Sequence, residues 1–382
     1  MKRLFVILFV VTLTLALTSC APAGTGGGDT IKIGLQGPLT GDYALEGQGF
    51  KNAIDLLVEQ TNAAGGINGK KVEVFIEDDK GDPKEAALVA DRLVSKKVIA
   101  VIGGYNSTAT EPASAIYNTA GILHITPSST AVRLTTKGYT QFFRVCFLDD
   151  RQGLFAAEFM IKDMGYKNIA VLHDNSTYAQ GLAEETKHYM EQIGVAPVFF
   201  DAINPDDTDF SPTLTKIKAL NPDAVYYSGY FAQGGLLLKQ AAALGMTAKW
   251  LGGNAMNNTG LIPIAGVENA KGFIATTEPL PGDLEYPEAK QFLADYKAKY
   301  NADPTSVWTV MAADAFRVIK YAIEQTKSTD PKVLAEYLHK TFKDYPGITG
   351  PILSFDEKGD RTGTIHKAYV VDDAGNFVPY VK

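Results

Sequence analysis

The chain has 382 residues, with 36 Lys and Arg against 43 Asp and Glu, a formal net charge of −7 at pH 7, and two cysteines. That length exceeds what one hydrophobic core usually supports, so two lobes are expected. The acidic balance argues against nucleic acid or an anionic membrane surface as a partner, and leaves local dipoles to hold any anionic ligand.

The chain opens Met1-Lys2-Arg3, continues through a mostly apolar Leu4–Leu17 stretch, and reaches Leu17-Thr18-Ser19-Cys20. The stretch has the size of a signal-peptide core and is short for a membrane span. A small-residue site ending in Cys resembles a bacterial lipobox. Residues 1–19 therefore read as a signal peptide and Cys20 as the lipidated first residue of the mature chain. The competing reading is an ordinary signal peptide that happens to contain a Cys. Residues 20–29, rich in Gly, Ala and Thr, suit a flexible tether. The expected location is extracytoplasmic, lipid-anchored to the cell membrane. Losing Lys2 and Arg3 leaves 34 basic against 43 acidic residues, near −9. Cys146 is then the remaining cysteine, so no intramolecular disulfide is expected. Its setting, Phe142-Phe143-Arg144-Val145-Cys146-Phe147, favours a buried small hydrophobe over a reactive thiol.

From residue 30 onward, strand-like and helix-like patterns alternate, which predicts α/β lobes built on parallel sheets. Ile31–Leu35 opens as a strand. A helix follows with Phe50, Ala53, Ile54, Leu57 and Val58 on one face, ending at Gly65-Gly66. Val72–Ile76 is the next strand. Asp82-Pro83-Lys84-Glu85 starts a helix whose apolar face is Ala86, Val89, Ala90, Leu93 and Val94. Two more strand–turn units follow, at Val98–Ile102 and Ile122–Ile125. Near Leu148 a second series begins. Its helices are predicted over Gly153–Met164, Ala179–Ile193, Pro212–Leu220 and Gly234–Leu244. Its strands are predicted over Asn168–His173, Pro197–Phe200, Asp223–Tyr227, Lys249–Gly252 and Gly272–Thr276. After Glu278-Pro279-Leu280-Pro281 come three helices, roughly Pro287–Tyr300, Ser306–Gln325 and Pro331–Phe342. Short strands at Ile352–Phe355 and Lys367–Val371 finish the chain.

Two turns carry the chemistry. Gly103-Gly104-Tyr105-Asn106-Ser107-Thr108 follows one buried strand, and Thr126-Pro127-Ser128-Ser129-Thr130-Ala131 follows the next. Each reads as a strand running into the start of a helix. Open α/β sheets bind ligands at such ends, and free helix N–H groups accept an anion there. Ser and Thr hydroxyls add donors without fixed charge. Together the turns read as a carboxylate cradle. The plainer reading is that Ser107 and Ser128 are helix N-caps.

Catalytic signatures are missing. Gly65-Gly66-Ile67-Asn68-Gly69-Lys70-Lys71 lacks the spacing and hydroxyl of a phosphate loop. The histidines at 124, 173, 188, 339 and 366 have no zinc-like spacing. Tyr226 stands where a nucleophile elbow at Ser228 would need Gly. Asp356-Glu357-Lys358-Gly359-Asp360 fits a β-turn better than a calcium loop. No enzyme, cofactor or metal is expected.

The ordered series Ile31-Lys32-Ile33-Gly34, Gly37-Pro38-Leu39-Thr40-Gly41, Asn62–Gly69, Asp78–Pro83, Glu111-Pro112-Ala113-Ser114, Ile125-Thr126-Pro127, His173-Asp174 with Tyr178 and Gly181, and Tyr226–Tyr230 resembles the lipoprotein substrate-binding subunits of branched-chain amino acid ABC transporters. It covers essentially the whole mature chain. The resemblance implies a type I periplasmic binding protein fold: two Rossmann-like α/β lobes, three hinge crossings and a central ligand cleft. The crossings then lie near Leu148, Glu278 and His366. That puts 30–148 plus 279–365 in the N-terminal lobe and 149–278 plus 366–382 in the C-terminal lobe. It also implies a monomer that captures a small carboxylate-bearing solute and delivers it to membrane permease subunits. Ser107, Ser128 and Thr130 fall at the positions that hold the ligand's carboxylate, while Tyr178 and Tyr230 reach across from the second lobe. Tyr105 and Trp308 match wall positions, though core packing accounts for Trp308 equally well. The family places an acid for the ligand's ammonium where this chain has Asn254. Asp149 or Asp150 would have to substitute, or the ligand is an aliphatic or aromatic acid or an amide. The family's aromatic at the entrance of the first helix is expected to be lost, Leu45 standing near its place. A sensory module with the same fold is the other reading.

Overall fold

The computed structural model describes residues 30–382, so the signal peptide, Cys20 and the tether lie outside the described residues. Five parallel strands form the first sheet: β1 (Ile31–Gly37), β2 (Val72–Asp78), β3 (Ala100–Ile102), β4 (Leu123–Thr126) and β5 (Phe142–Arg144). Their order is β2-β1-β3-β4-β5. Ile31, Ile33 and Leu35 are almost fully buried, as a strand covered on both faces requires. Helices α1 (Ala44–Ala63), α2 (Pro83–Ser95) and α3 (Ser107–Ala120) connect the strands. The Asp82 carboxylate caps α2 by accepting from the N–H groups of Lys84 and Glu85.

The chain then enters α4 (Asp149–Glu158) and a second sheet through β6 (Ile169–His173), α5 (Thr177–Ile193), β7 (Phe199–Ala202), α6 (Ser211–Ala219), β8 (Ala224–Ser228), α7 (Phe231–Ala243) and β9 (Lys249–Gly252). Short helices α8 (Leu261–Ala265) and α9 (Val267–Ala270) lead to β10 (Ile274–Thr277). Next come α10 (Pro287–Tyr300), α11 (Val307–Thr326) and α12 (Pro331–Lys340), which return to the first half, where α11 packs on α1, β3 and β4, and α12 on β4. The chain ends in β11 (Lys367–Val371) and β12 (Phe377–Pro379). The second sheet runs β12-β11-β10-β9-β8-β6-β7, and only its β10-β11 and β11-β12 pairs are antiparallel. Counted from β6, its parallel part repeats the strand order of the first sheet. Both sheets thus place a topological switch point at the carboxyl ends of their central strands.

Several expectations change. Ile352–Phe355 is not a strand but makes two isolated bridges, Tyr345 with Leu353 and Phe355 with Arg361. A short apolar run next to turn residues lacks a partner strand to extend it. The edge strands β5 and β12, three residues each, lie in segments the periodicity left without a strand. The helix expected at Gly153 starts four residues earlier, at Asp149, and ends in a π-helical turn over Phe159–Asp163. Finally, no helix starts after β4. The chain there makes an irregular loop and a 3-10 turn, Val132–Thr135.

Candidate functional site

The two strand-end turns lie side by side. Gly103 permits this: its φ is +139°, and a Cβ there would come within 2.1 Å of the Gln36 carbonyl oxygen. The Thr126 hydroxyl donates to Gly104 O (2.9 Å), the Ser128 hydroxyl to Tyr105 O (3.1 Å), and Ser129 shares a 2.7 Å hydrogen bond with Thr110. Ser107 is not the N-cap of α3, which is Asn106. Instead its hydroxyl oxygen accepts from the Ala131 N–H (3.3 Å), stitching one turn to the other.

Arg144, fully buried on β5, holds the second turn from behind. It forms an ion pair with Asp360 (2.5 Å) and donates to the carbonyls of Ser129 (2.9 Å) and Ala131 (3.0 Å). With its carbonyls engaged on that side, the loop keeps the Thr130 N–H without a hydrogen-bond partner among the described residues, while the Thr130 hydroxyl lies against the buried Asp149 carboxyl. The Ser107 N–H, first in its helix, also lacks an intrahelical acceptor. An α-helix end on one side and a loop amide on the other therefore offer unused donors. The anion site is built from these, not from two helix ends.

Facing these turns is the second sheet. Tyr105, Ser107, Ser128, Tyr178, Tyr230, Asn254, Ala255 and Trp308 line one cavity of about 10 Å³. That is room for about one water, so a solute enters only as the two halves move apart. Seven of the residues singled out from the sequence thus share one enclosure. Thr130 is not among the lining residues; it is 1% exposed. Cys20 lies outside the described residues. The Tyr178 hydroxyl donates to Asn254 Oδ1 (2.9 Å) and is approached by the Ala255 N–H (3.4 Å). Gly253 leaves room for this, since a Cβ there would lie 2.4 Å from the Tyr178 oxygen.

Tyr230 packs on Tyr178 (centroids 5.3 Å apart), Tyr105 (6.0 Å) and Tyr43 (4.8 Å). An aromatic does stand at the start of the first helix, namely Tyr43. It precedes α1 directly, while Leu45 points outward with 44% exposure. The helix entrance lies two residues before the position read from the sequence.

Direct bonds also span the cleft. The Thr177 N–H donates to Thr108 Oγ1 (3.0 Å), and Arg133 donates to Thr177 Oγ1 (2.8 Å). Glu46 on α1 accepts from Asn258 Nδ2 (2.7 Å) across the gap and from Ser306 Oγ (2.5 Å). Three buried carboxyls surround the site. Burial pushes Glu46 to about 7, Glu278 to about 7 and Asp149 to about 8, although hydrogen bonds to the first two and the nearby Thr130 hydroxyl and Arg144 for Asp149 pull the other way. Asp150, the other expected substitute, is partly exposed beside Arg151, 3.8 Å away. Among the described residues no cluster of His, Cys, Asp and Glu is arranged to hold a metal. Asp356 makes the expected turn, accepting from the N–H groups of Lys358 and Asp360.

Sequence reasoning missed Glu46, Arg144 and Glu278. Glu46 was legible in principle: it stands four residues before Phe50, on the apolar face of α1. Arg144, alone within an apolar run, carries a similar signal, because a buried charge needs a partner.

Residues 30–374 match the family described as "Periplasmic binding protein". A "Leucine-, isoleucine-, valine-, threonine-, and alanine-binding protein" of Pseudomonas aeruginosa is 40% identical over 334 residues, covering 87% of each chain. Among solved structures, a leucine-binding protein, LivK, from Thermotoga maritima superposes with a TM-score of 0.86 at 30% identity, over 92% of this chain and 98% of the other. The branched-chain amino acid transporter substrate-binding protein LivJ from Streptococcus pneumoniae, in complex with isoleucine, gives 0.81 at 31% identity, over 91% and 98%.

Proposed function

The chain belongs to the periplasmic binding protein family, in its type I fold, and from that premise we propose that it captures a branched-chain or closely related amino acid between its two lobes and hands it to an ABC permease in the membrane. The observation that carries this reading is the cavity lined by Ser107 and Ser128 from the turns and by Tyr178, Tyr230 and Asn254 from the second half, with the Ser107 N–H unused at its edge. A carboxylate there accepts the Ser107 and Thr130 N–H groups and the Thr130 hydroxyl. Charge-assisted bonds of this kind are about twice as strong as neutral ones. Ser128, its hydrogen directed to Tyr105 O, shapes the wall and holds the turns together. Tyr105, Trp308 and the three-ring contact around Tyr230 present the apolar surface that an aliphatic side chain would meet.

Closure needs a ligand that touches both halves, since only differential contact shifts the equilibrium between open and closed lobes. Tyr178, Tyr230 and Asn254 provide the second half. The lobes divide at 148/149, 278/279 and 365/366, where the chain passes between the sheets. Cys20, processed and lipidated, would hold the protein at the outer face of the membrane as a monomer.

Calorimetry with leucine, isoleucine and valine tests the reading. Thr130→Ala should weaken binding by about 1–3 kcal/mol, the cost of leaving a buried partner unmet, and Ser107→Ala, which keeps its N–H but frees the Ala131 N–H and loosens the join between the turns, should weaken it by less. Unchanged affinity in both variants would remove the turns from the site.

A further inference from the structure

Asn254 leaves a question of charge, because an amide cannot neutralise a buried ammonium. The next carboxylate lies directly against it. Asn254 Nδ2 is 3.4 Å from both oxygens of Glu278, which follows β10 and is wholly buried. The groups facing Glu278 do not pair with it, and burial raises its carboxyl to about 7, so a cation held in the enclosure would draw it into the charged form. The Thr277 hydroxyl lies 3.3 Å away. His366 Nε2 is 3.7 Å away, and burial holds that ring near a pKa of about 3, hence neutral. Arg361 acts on it only at longer range, its guanidinium donating to Val145 O and Thr349 Oγ1. Cys146 and Asp149 also feel its charge, and neither is a cation.

The remaining bonds run towards the cavity. Asn254 gives its N–H to Glu278 and takes the Tyr178 hydroxyl on its oxygen. Tyr178, having donated its hydrogen, keeps an acceptor oxygen at the wall. Carboxylate, amide and phenol are therefore aligned with their negative ends towards the enclosure, and each polarises the next.

We propose that Glu278, acting through Asn254 and Tyr178, supplies the counter-charge for a cationic group of the ligand, so that the cavity selects ammonium-bearing carboxylates over their deaminated counterparts. Glu278 is a positioning residue here and makes no ligand contact. The inference rests on the amino acid-binding reading above, and says which buried group of this chain answers the ammonium of such a ligand.

The test is calorimetric titration of the whole protein with leucine and with 4-methylpentanoate, which has the same skeleton without the ammonium. Wild type should prefer leucine. Glu278→Gln should lower that preference by about tenfold or more, leaving 4-methylpentanoate affinity in place. Asn254→Asp in the Glu278→Gln background returns a carboxylate to the end of the relay and should restore the preference. This double variant also keeps the buried charge count, so it serves if the single variant folds poorly. A Glu278→Gln protein that keeps the full preference, or loses both ligands equally, would overturn the proposal. So would a double variant without recovery. If wild type binds both compounds alike, the inference falls and the solute-binding reading stands. If it binds neither these nor isoleucine or valine, both fall.

Discussion

Replacing Glu46 by Gln is expected to stabilise the protein at pH 8 by about 3 kcal/mol and to leave it nearly unchanged at pH 5. Glu46 is 1% exposed, accepts hydrogen bonds from Asn258 and Ser306, and has no basic partner among the described residues. Burial raises its pKa from 4.5 to about 7, against the lowering effect of those two bonds. The folded state thus holds the proton more tightly than the unfolded chain. The stability from this group is complete below about pH 4.5 and is lost as pH rises through about 7. A shift of roughly 2.5 units corresponds to about 3 kcal/mol. Gln keeps the shape and one acceptor but cannot ionise. At pH 5 Glu46 is neutral in the folded protein and partly ionised in the unfolded chain, so the two proteins should differ by less than about 1 kcal/mol. Urea unfolding of the ligand-free protein at both pH values measures the difference. An equal offset at pH 5 and pH 8, or a variant weaker than wild type at pH 8, would refute the reasoning.

Arg144→Met should destabilise the protein by about 3–5 kcal/mol, because it strands Asp360 without its cation in a buried site. Removing Asp360 as well should recover much of that loss, and thermal unfolding of the single and double variants checks both. Tyr178→Phe removes the bond to Asn254 and the acceptor for the Ala255 N–H, and should weaken amino acid binding by about 1–2 kcal/mol in calorimetry.

The alternation of strand and helix was legible because buried parallel strands read as continuous apolar runs, and Val98–Ile102 and Ile169–Leu172 are examples. Serines and threonines after two such runs pointed to the cradle for the same reason. What stayed hidden depends on tertiary placement. Nothing in the local pattern around Phe142–Arg144 distinguishes a three-residue edge strand from an apolar loop, since its partner β4 decides. The second turn looked like a helix start because Ser and Thr are good caps. Its loop is instead set by Arg144, whose hydrogen bonds to Ser129 O and Ala131 O cannot be read from spacing. Glu278 was visible only as a residue between a strand and a proline. Its meaning arises from Asn254, 24 residues earlier in the chain, lying against it.

The path of the chain also governs how the molecule can be made. The first sheet ends at Arg144, yet the helices that cover its β3 and β4, α11 and α12, come only after the whole parallel part of the second sheet. That second sheet in turn waits for β11 and β12, the last strands of the chain, to cover the edge of β10. Neither half can bury its apolar surface while residues beyond 307 are still missing. Such non-local contacts make folding slow and leave unpaired edges exposed in the meantime. A nascent chain should therefore remain open and protease-sensitive until its final strands arrive, a state well suited to being threaded through a membrane before it folds.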